Sequence, residues 1–151
     1  MSTFDETLPM ILHRGLDAVM PEFRTLFGHH NLTDQQWRVL RVLWDVDRAS
    51  SAELSARTLL PAPSLVGIID RLEKRGLVAR MRSASDRRVV HVMATAEGRA
   101  LGEEVIPHVD DINQRIRNSV TKKEWDTMQA TLEKITSHMN QTTADLQAQT
   151  A

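Results

Sequence analysis

Between Leu60 and Arg99 the apolar positions change rhythm, and the change marks a boundary between elements. Leu65, Ile68, Ile69 and Leu72 fall at i, i+3, i+4 and i+7, the spacing of one buried helical stripe, and predict a helix over 62–75. Pro61 or Pro63 suits its first turn, where a missing N–H costs little, and Gly76 suits the left-handed position that closes a helix. Beyond it, LVARMR and RVVHVM are short runs rich in β-branched residues, and SASD between them is turn chemistry. The segment therefore reads as a helix, a stop, and a two-stranded hairpin with arginines at its tip.

The flanking elements are announced by their first residues. Thr33-x-x-Gln36, Ser50-x-x-Glu53 and Thr121-x-x-Glu124 have the spacing of capping boxes, in which a hydroxyl and a carboxyl or amide satisfy each other's orphan backbone donors. A helix over 33–45 would bury Trp37, Leu40, Val42, Leu43 and Trp44, and one over 51–58 carries Ala52, Leu54 and Ala56. The tight connection from there to 62–75 makes a helix-turn-helix, and the hairpin makes it a winged one. Thr95 can cap a long helix through Val105, Val109, Ile112 and Ile116, with Pro107 kinking it or marking its first third.

Both ends of the chain keep a heptad rhythm. Leu12, Leu16, Val19, Phe23 and Leu26 are spaced 4, 3, 4, 3, and Trp125, Met128, Leu132, Ile135 and Met139 are spaced 3, 4, 3, 4. Such seams pack along their length against a partner helix, either within one chain or between two. Neither end is assigned to the winged-helix core, so a second copy is the expected partner. The expected fold is mainly α: a winged helix-turn-helix DNA-binding lobe over 33–95, with long N- and C-terminal dimerisation helices over 1–32 and 96–151. A two-fold homodimer would present two recognition helices to an inverted-repeat operator in double-stranded DNA.

Net charge changes this picture only through its distribution. The whole chain carries −1, yet nine basic residues face four acidic ones between Arg57 and Arg99, leaving that segment at +5 and the remainder at −6. A basic module on an acidic body is the footprint of a protein that meets phosphate on one face. The groove-facing set is expected to be Pro63, Ser64, Val66, Gly67, Arg71 and Lys74, which lie off the apolar stripe. Ser64 stands where a helix N-terminus favours phosphate, and Gly67 permits close approach to the groove wall. Arg71 and Lys74 either reach phosphate or pair with Asp70 and Glu73. Arg82 adds a strand contact, and Asp86, Arg87 and Arg88 form the tip. Arginines crowded there need an anion or a narrow minor groove to compensate them.

Other chemistry is sparse. Cysteine is absent, which excludes disulfides, thiolate metal sites and cysteine nucleophiles. Of six histidines only His29 and His30 are sequence neighbours, so no metal site is expected. With no glycine-rich phosphate loop, nucleophile elbow or spaced carboxylate pair, the chain is read as no enzyme and as needing no cofactor. No apolar run approaches the ~18 residues that span a bilayer, so no membrane partner is expected. The N-terminus lacks a basic signal-peptide start. A cytoplasmic, nucleoid-associated location is the expectation.

Three motifs in order carry a family resemblance: RLEKRGLV at 71–78, Asp86-Arg87-Arg88, and Thr95-Ala96-Glu97-Gly98. The chain resembles the MarR family of bacterial transcriptional regulators over nearly its whole length. The segment His30–Arg38, HNLTDQQWR, resembles the branch that regulates degradation of homoprotocatechuate and related hydroxyphenylacetates. The resemblance implies that Arg88 enters the minor groove braced by Asp86, while Arg87 touches phosphate. It also implies a small phenolic or aromatic acid effector, bound between the dimer base and the DNA-binding lobe. His13, Arg14, His30, Trp37 and Arg38 are the candidate ligand residues: an arginine fork for a carboxylate, an indole wall, a histidine for a phenol. The plainer alternative leaves Trp37 in the core and the others as surface charges. The expected function is a repressor of an aromatic-compound catabolic operon. Its alternatives are a constitutive DNA-binding regulator without a ligand and a helical adaptor for an acidic protein.

Overall fold

Each predicted helix start is built as its spacing dictates. Thr33 Oγ1 accepts from the Gln36 N–H (3.1 Å) while Gln36 Oε1 accepts from the Thr33 N–H (3.0 Å). Ser50 with Glu53, and Thr121 with Glu124, repeat the exchange. Hydrogen bonds from the Ser50 N–H and hydroxyl hold the Glu53 carboxyl below the usual carboxylate range; those from Thr121 do the same for Glu124. The computed structural model describes residues 3–82 and 90–149, with side chains through Asp145. Asp86, Arg87 and Arg88 of the expected wing tip lie outside the described residues.

A single 3-10 turn, Phe4–Glu6, precedes α1 (Leu8–His29) and α2 (Asp34–Asp45). The strand β1 (Ala49–Ser50) leads into α3 (Ser51–Thr58) and α4 (Ala62–Lys74). The hairpin strands β2 (Val78–Arg82) and β3 (Val90–Ala94) follow, then α5 (Ala96–Asn118) and α6 (Lys122–Gln149). The chain divides into two compact units, 1–112 and 113–151. In the first, β3 lies between β1 and β2 in an antiparallel sheet, with Val78 opposite Ala94, Arg82 opposite Val90 and Ala49 opposite Val92. Leu40, Leu43, Leu54, Leu65, Ile68, Leu72, Val78, Val92 and Val105 fill its core. Gly76, at φ +71°, closes α4 in the left-handed region, with the Leu77 N–H returning to the Leu72 carbonyl (3.0 Å).

One expectation is corrected here. The N-terminal helix is part of this core: Phe23 and Phe27 are buried, and Phe27 stacks on Trp37 with ring centroids 4.9 Å apart. Only the last turns of α1 lie over α2. Its earlier apolar residues, Leu8, Ile11, Leu12 and Leu16, are exposed.

The start of α5 is locked to the lobe by small residues. Thr95 Oγ1 accepts from the Gly98 N–H (3.0 Å) and donates to the Gly76 carbonyl (2.5 Å). Gly98 lies so close to the Leu77 carbonyl that no Cβ would fit, and a Cβ on Gly102 would come within 2.7 Å of the Trp44 ring. Trp44 Nε1 donates to the Gly98 carbonyl at 2.8 Å. Pro107 stands inside α5, which runs on through it. In the second unit the Arg117 guanidinium lies 5.2 Å over the Trp125 ring, Leu132 and Ile135 are half-buried, and Met128 and Met139 are exposed. Among the described residues no helix is long and apolar enough to cross a membrane.

Candidate nucleic-acid interface

Burying Leu65, Ile68, Ile69 and Leu72 turns the opposite face of α4 outward. Pro63, Ser64, Arg71 and Lys74 are exposed, Val66 is 58% exposed and Gly67 is half-buried. Nothing but the Arg71 guanidinium stands near Gly67: a Cβ placed there would meet Arg71 Nη1 at 3.6 Å. The middle of the helix is thus low and smooth, with a cation lying beside it.

The hairpin settles what the acids of α4 do. Arg80 on β2 reaches across to Asp70 (2.6 Å) and to Glu73. Partial burial opposes its charge, but the bonds to the two carboxylates outweigh it and hold the guanidinium above its ordinary value. With both acids committed to Arg80, Arg71 and Lys74 make no ion pair among the described residues. Arg82, at the end of β2, is exposed. Arg75 belongs to the architecture instead: it donates to the carbonyls of Asn31 (2.6 Å) and His30 (3.2 Å), tying the end of α4 to the turn after α1.

One exposed residue is not signalled by the sequence pattern. Leu59, between α3 and α4, has φ +57° and is 82% exposed. A left-handed position normally takes glycine or asparagine, so a leucine there gives no cue. It projects beside the start of the recognition helix.

The five candidate ligand residues are not gathered by one chain. Trp37 is core, stacked on Phe27 and edge-on to Trp44 at 5.3 Å. Arg38 binds Asp34 (2.9 Å) and the Thr58 carbonyl (3.2 Å). Arg14 is paired with Asp5, and His30 Nδ1 lies 3.7 Å from a Glu104 carboxylate oxygen. His13, exposed on α1, is about 25 Å from His30 along the helix axis at 1.5 Å per residue.

An outward recognition helix, packed by a helix-turn-helix partner and flanked by a cationic hairpin, defines a winged helix-turn-helix regulator of the DNA-binding class. The chain belongs to the MarR family, whose model matches residues 30–89. It is 31% identical to the homoprotocatechuate degradative operon repressor of Escherichia coli over 128 residues, 85% of this chain and 86% of that one. Among solved structures it resembles that of Bordetella bronchiseptica BpsR, described as regulated in DNA binding by 6-hydroxynicotinic acid. That match has 29% identity and a TM-score of 0.82, covering 90% of this chain and 97% of that one. It also resembles NadR in complex with 4-hydroxyphenylacetate, at 31% identity and a TM-score of 0.76, covering 89% and 96%.

Proposed function

We propose that this protein is a homodimeric repressor of an aromatic-compound catabolic operon, released from an inverted-repeat operator by a small hydroxylated aromatic acid. The observation that carries the DNA half is the Arg80 clamp on Asp70 and Glu73, which leaves Arg71 and Lys74 free to meet phosphate. Ser64, Val66 and Gly67 then face base edges, Arg82 reaches the backbone, and Arg88 enters the minor groove braced by Asp86, with Arg87 on phosphate. The effector half rests on relatives whose names and ligands share one chemistry: a planar ring with a hydroxyl and a carboxyl.

The mechanism is a population shift. DNA selects a spacing of two recognition helices that matches successive major grooves, and the effector selects another. A hundredfold loss of DNA affinity needs about 2.7 kcal/mol of preference for the DNA-free shape, within reach of a charge-assisted contact to an arginine. The test is binding of the dimer to duplex DNA from its own upstream region, with and without 4-hydroxyphenylacetate, paired with calorimetry of the acid with and without that DNA. The expected result is salt-sensitive, sequence-selective binding that weakens with the acid, and an equal weakening of acid binding by DNA. Tight operator binding that ignores every hydroxylated aromatic acid would favour a constitutive regulator, a reading to which the burial of Trp37 already lends weight.

A further inference from the structure

Within the DNA-binding reading proposed above, on which this rests, we infer that α4 selects thymine. The exposed Val66 packs on a thymine 5-methyl group in the major groove, with Leu59 as a second apolar contact beside the helix start. A helix-turn-helix meets base edges with the N-terminal residues of its recognition helix. Guanine and adenine are read there by the donors and acceptors of Arg, Lys, Asn or Gln, cytosine by a carboxylate, and thymine by apolar contact with its methyl. From Ala62 to Ile69, α4 carries no amide, cation or carboxylate. Asp70, its first charged residue, is held by Arg80 at 2.6 Å. Val66 is the one large hydrophobic residue that α4 leaves exposed, at 58%.

The surroundings of Val66 suit that role. Next to it, Gly67 has only the Arg71 guanidinium nearby, so the helix backbone can come close to the groove floor. Valine in a helix holds essentially one rotamer, so little side-chain freedom is lost when a methyl seats on it. Arg71 and Lys74 follow on the next turns, exposed and without an ion pair among the described residues, placed to hold phosphate and fix the depth of the helix. The surplus of basic over acidic residues between Arg57 and Arg99 makes nucleic acid the occupant of this face. Leu59, three residues before α4, has φ +57° and is 82% exposed. It adds almost nothing to the core, and a left-handed leucine is strained where glycine would not be. An apolar group on the DNA beside the helix start gives that side chain a contact.

Footprinting of the full-length protein on its own upstream DNA locates the half-sites, and each thymine in them is then replaced in turn by deoxyuridine. The replacement removes the 5-methyl and leaves every hydrogen-bonding edge, including the minor-groove edge, unchanged. Operator affinity is compared for wild type, Val66→Ala and Leu59→Gly, with thermal melting as the check on folding. Both residues are exposed, alanine favours a helix more than valine does, and glycine accepts the left-handed position, so neither variant should melt below wild type. At one thymine position the replacement should weaken wild type about fourfold per half-site, the worth of one buried methyl. Val66→Ala should lose a similar factor on the unmodified operator and nothing further on the replaced one, and Leu59→Gly should bind the operator more weakly than wild type. Undiminished sensitivity to that replacement in Val66→Ala would overturn the contact. So would a wild type that ignores every deoxyuridine but weakens with 7-deazaguanine, which would give base selection to Arg71. Wild-type operator affinity in Leu59→Gly would overturn the second contact. A wild type that prefers its upstream DNA no more than scrambled duplex would overturn the DNA-binding reading itself.

Discussion

Two glycines on α5 seat that helix against its neighbours, and they do it by lacking a side chain. Gly98 lets the helix abut the Leu77 carbonyl, and Gly102 admits the Trp44 ring, whose Nε1 then bonds Gly98. Tight packing of this kind is intolerant of one added methyl. Gly102→Ala should lower stability by about 1–3 kcal/mol in denaturant titrations, while Gly28→Ala, with open space around it in α1, should be neutral or stabilising. Equal midpoints for the two variants would show that the Trp44 contact does not matter. The pair is also instructive about legibility. Gly76 announces its turn in the sequence because a helix stripe ends before it, whereas nothing in AEGRALGEE distinguishes a packing glycine from a tolerated one.

At the scale of elements, α4 and the hairpin function as one unit because Arg80 spans them. The apolar stripe of α4 and the alternation of β2 and β3 are readable along the chain, since both follow from backbone periodicity. The pairing of Arg80 with Asp70 and Glu73 is not, since it requires knowing which side of the helix the hairpin returns to. That pairing takes both acids from Arg71 and Lys74, and the phosphate role that remains for them is tested by substitution. Arg71→Ala should weaken binding to all duplexes alike and reduce the salt slope by about one, the behaviour of a phosphate contact. Arg88→Ala should cost on the order of 1–3 kcal/mol at the operator and much less on unrelated DNA. Salt-titrated binding to operator and scrambled duplexes separates them. Unchanged operator affinity in a folded Arg88→Ala protein would remove the wing-tip assignment.

The whole molecule raises the matter of the second copy. Exposed Leu8, Ile11, Leu12 and Leu16 on α1, and Met128 and Met139 on α6, continue seams whose other residues are half-buried or buried. Large exposed apolar faces of this kind mark association sites. Replacing Leu132 and Ile135 together by aspartate should give a monomer by light scattering and a loss of cooperative binding to an inverted repeat, because unpaired charge is costly to bury. A wild-type particle of monomer mass at micromolar concentration would refute the dimer.

Helix starts, the buried stripe of α4, the glycine stop and the strand pair were all determined by the sequence itself, because each depends on residues within a few positions of one another. Caps, periodicity and turn preference act locally. The tertiary structure alone decided that Phe27 closes over Trp37, that Arg38 spends its guanidinium on Asp34 and Thr58, and that Trp44 faces an open cleft beside Arg99. Apart from the i,i+4 pair of Arg38 with Asp34, those outcomes set residues 10 to 55 positions apart against each other. A tryptophan or arginine presents the same chemistry to the sequence whether its partner is a ligand, a carbonyl or another ring. Which of these it meets is decided by how the helices pack.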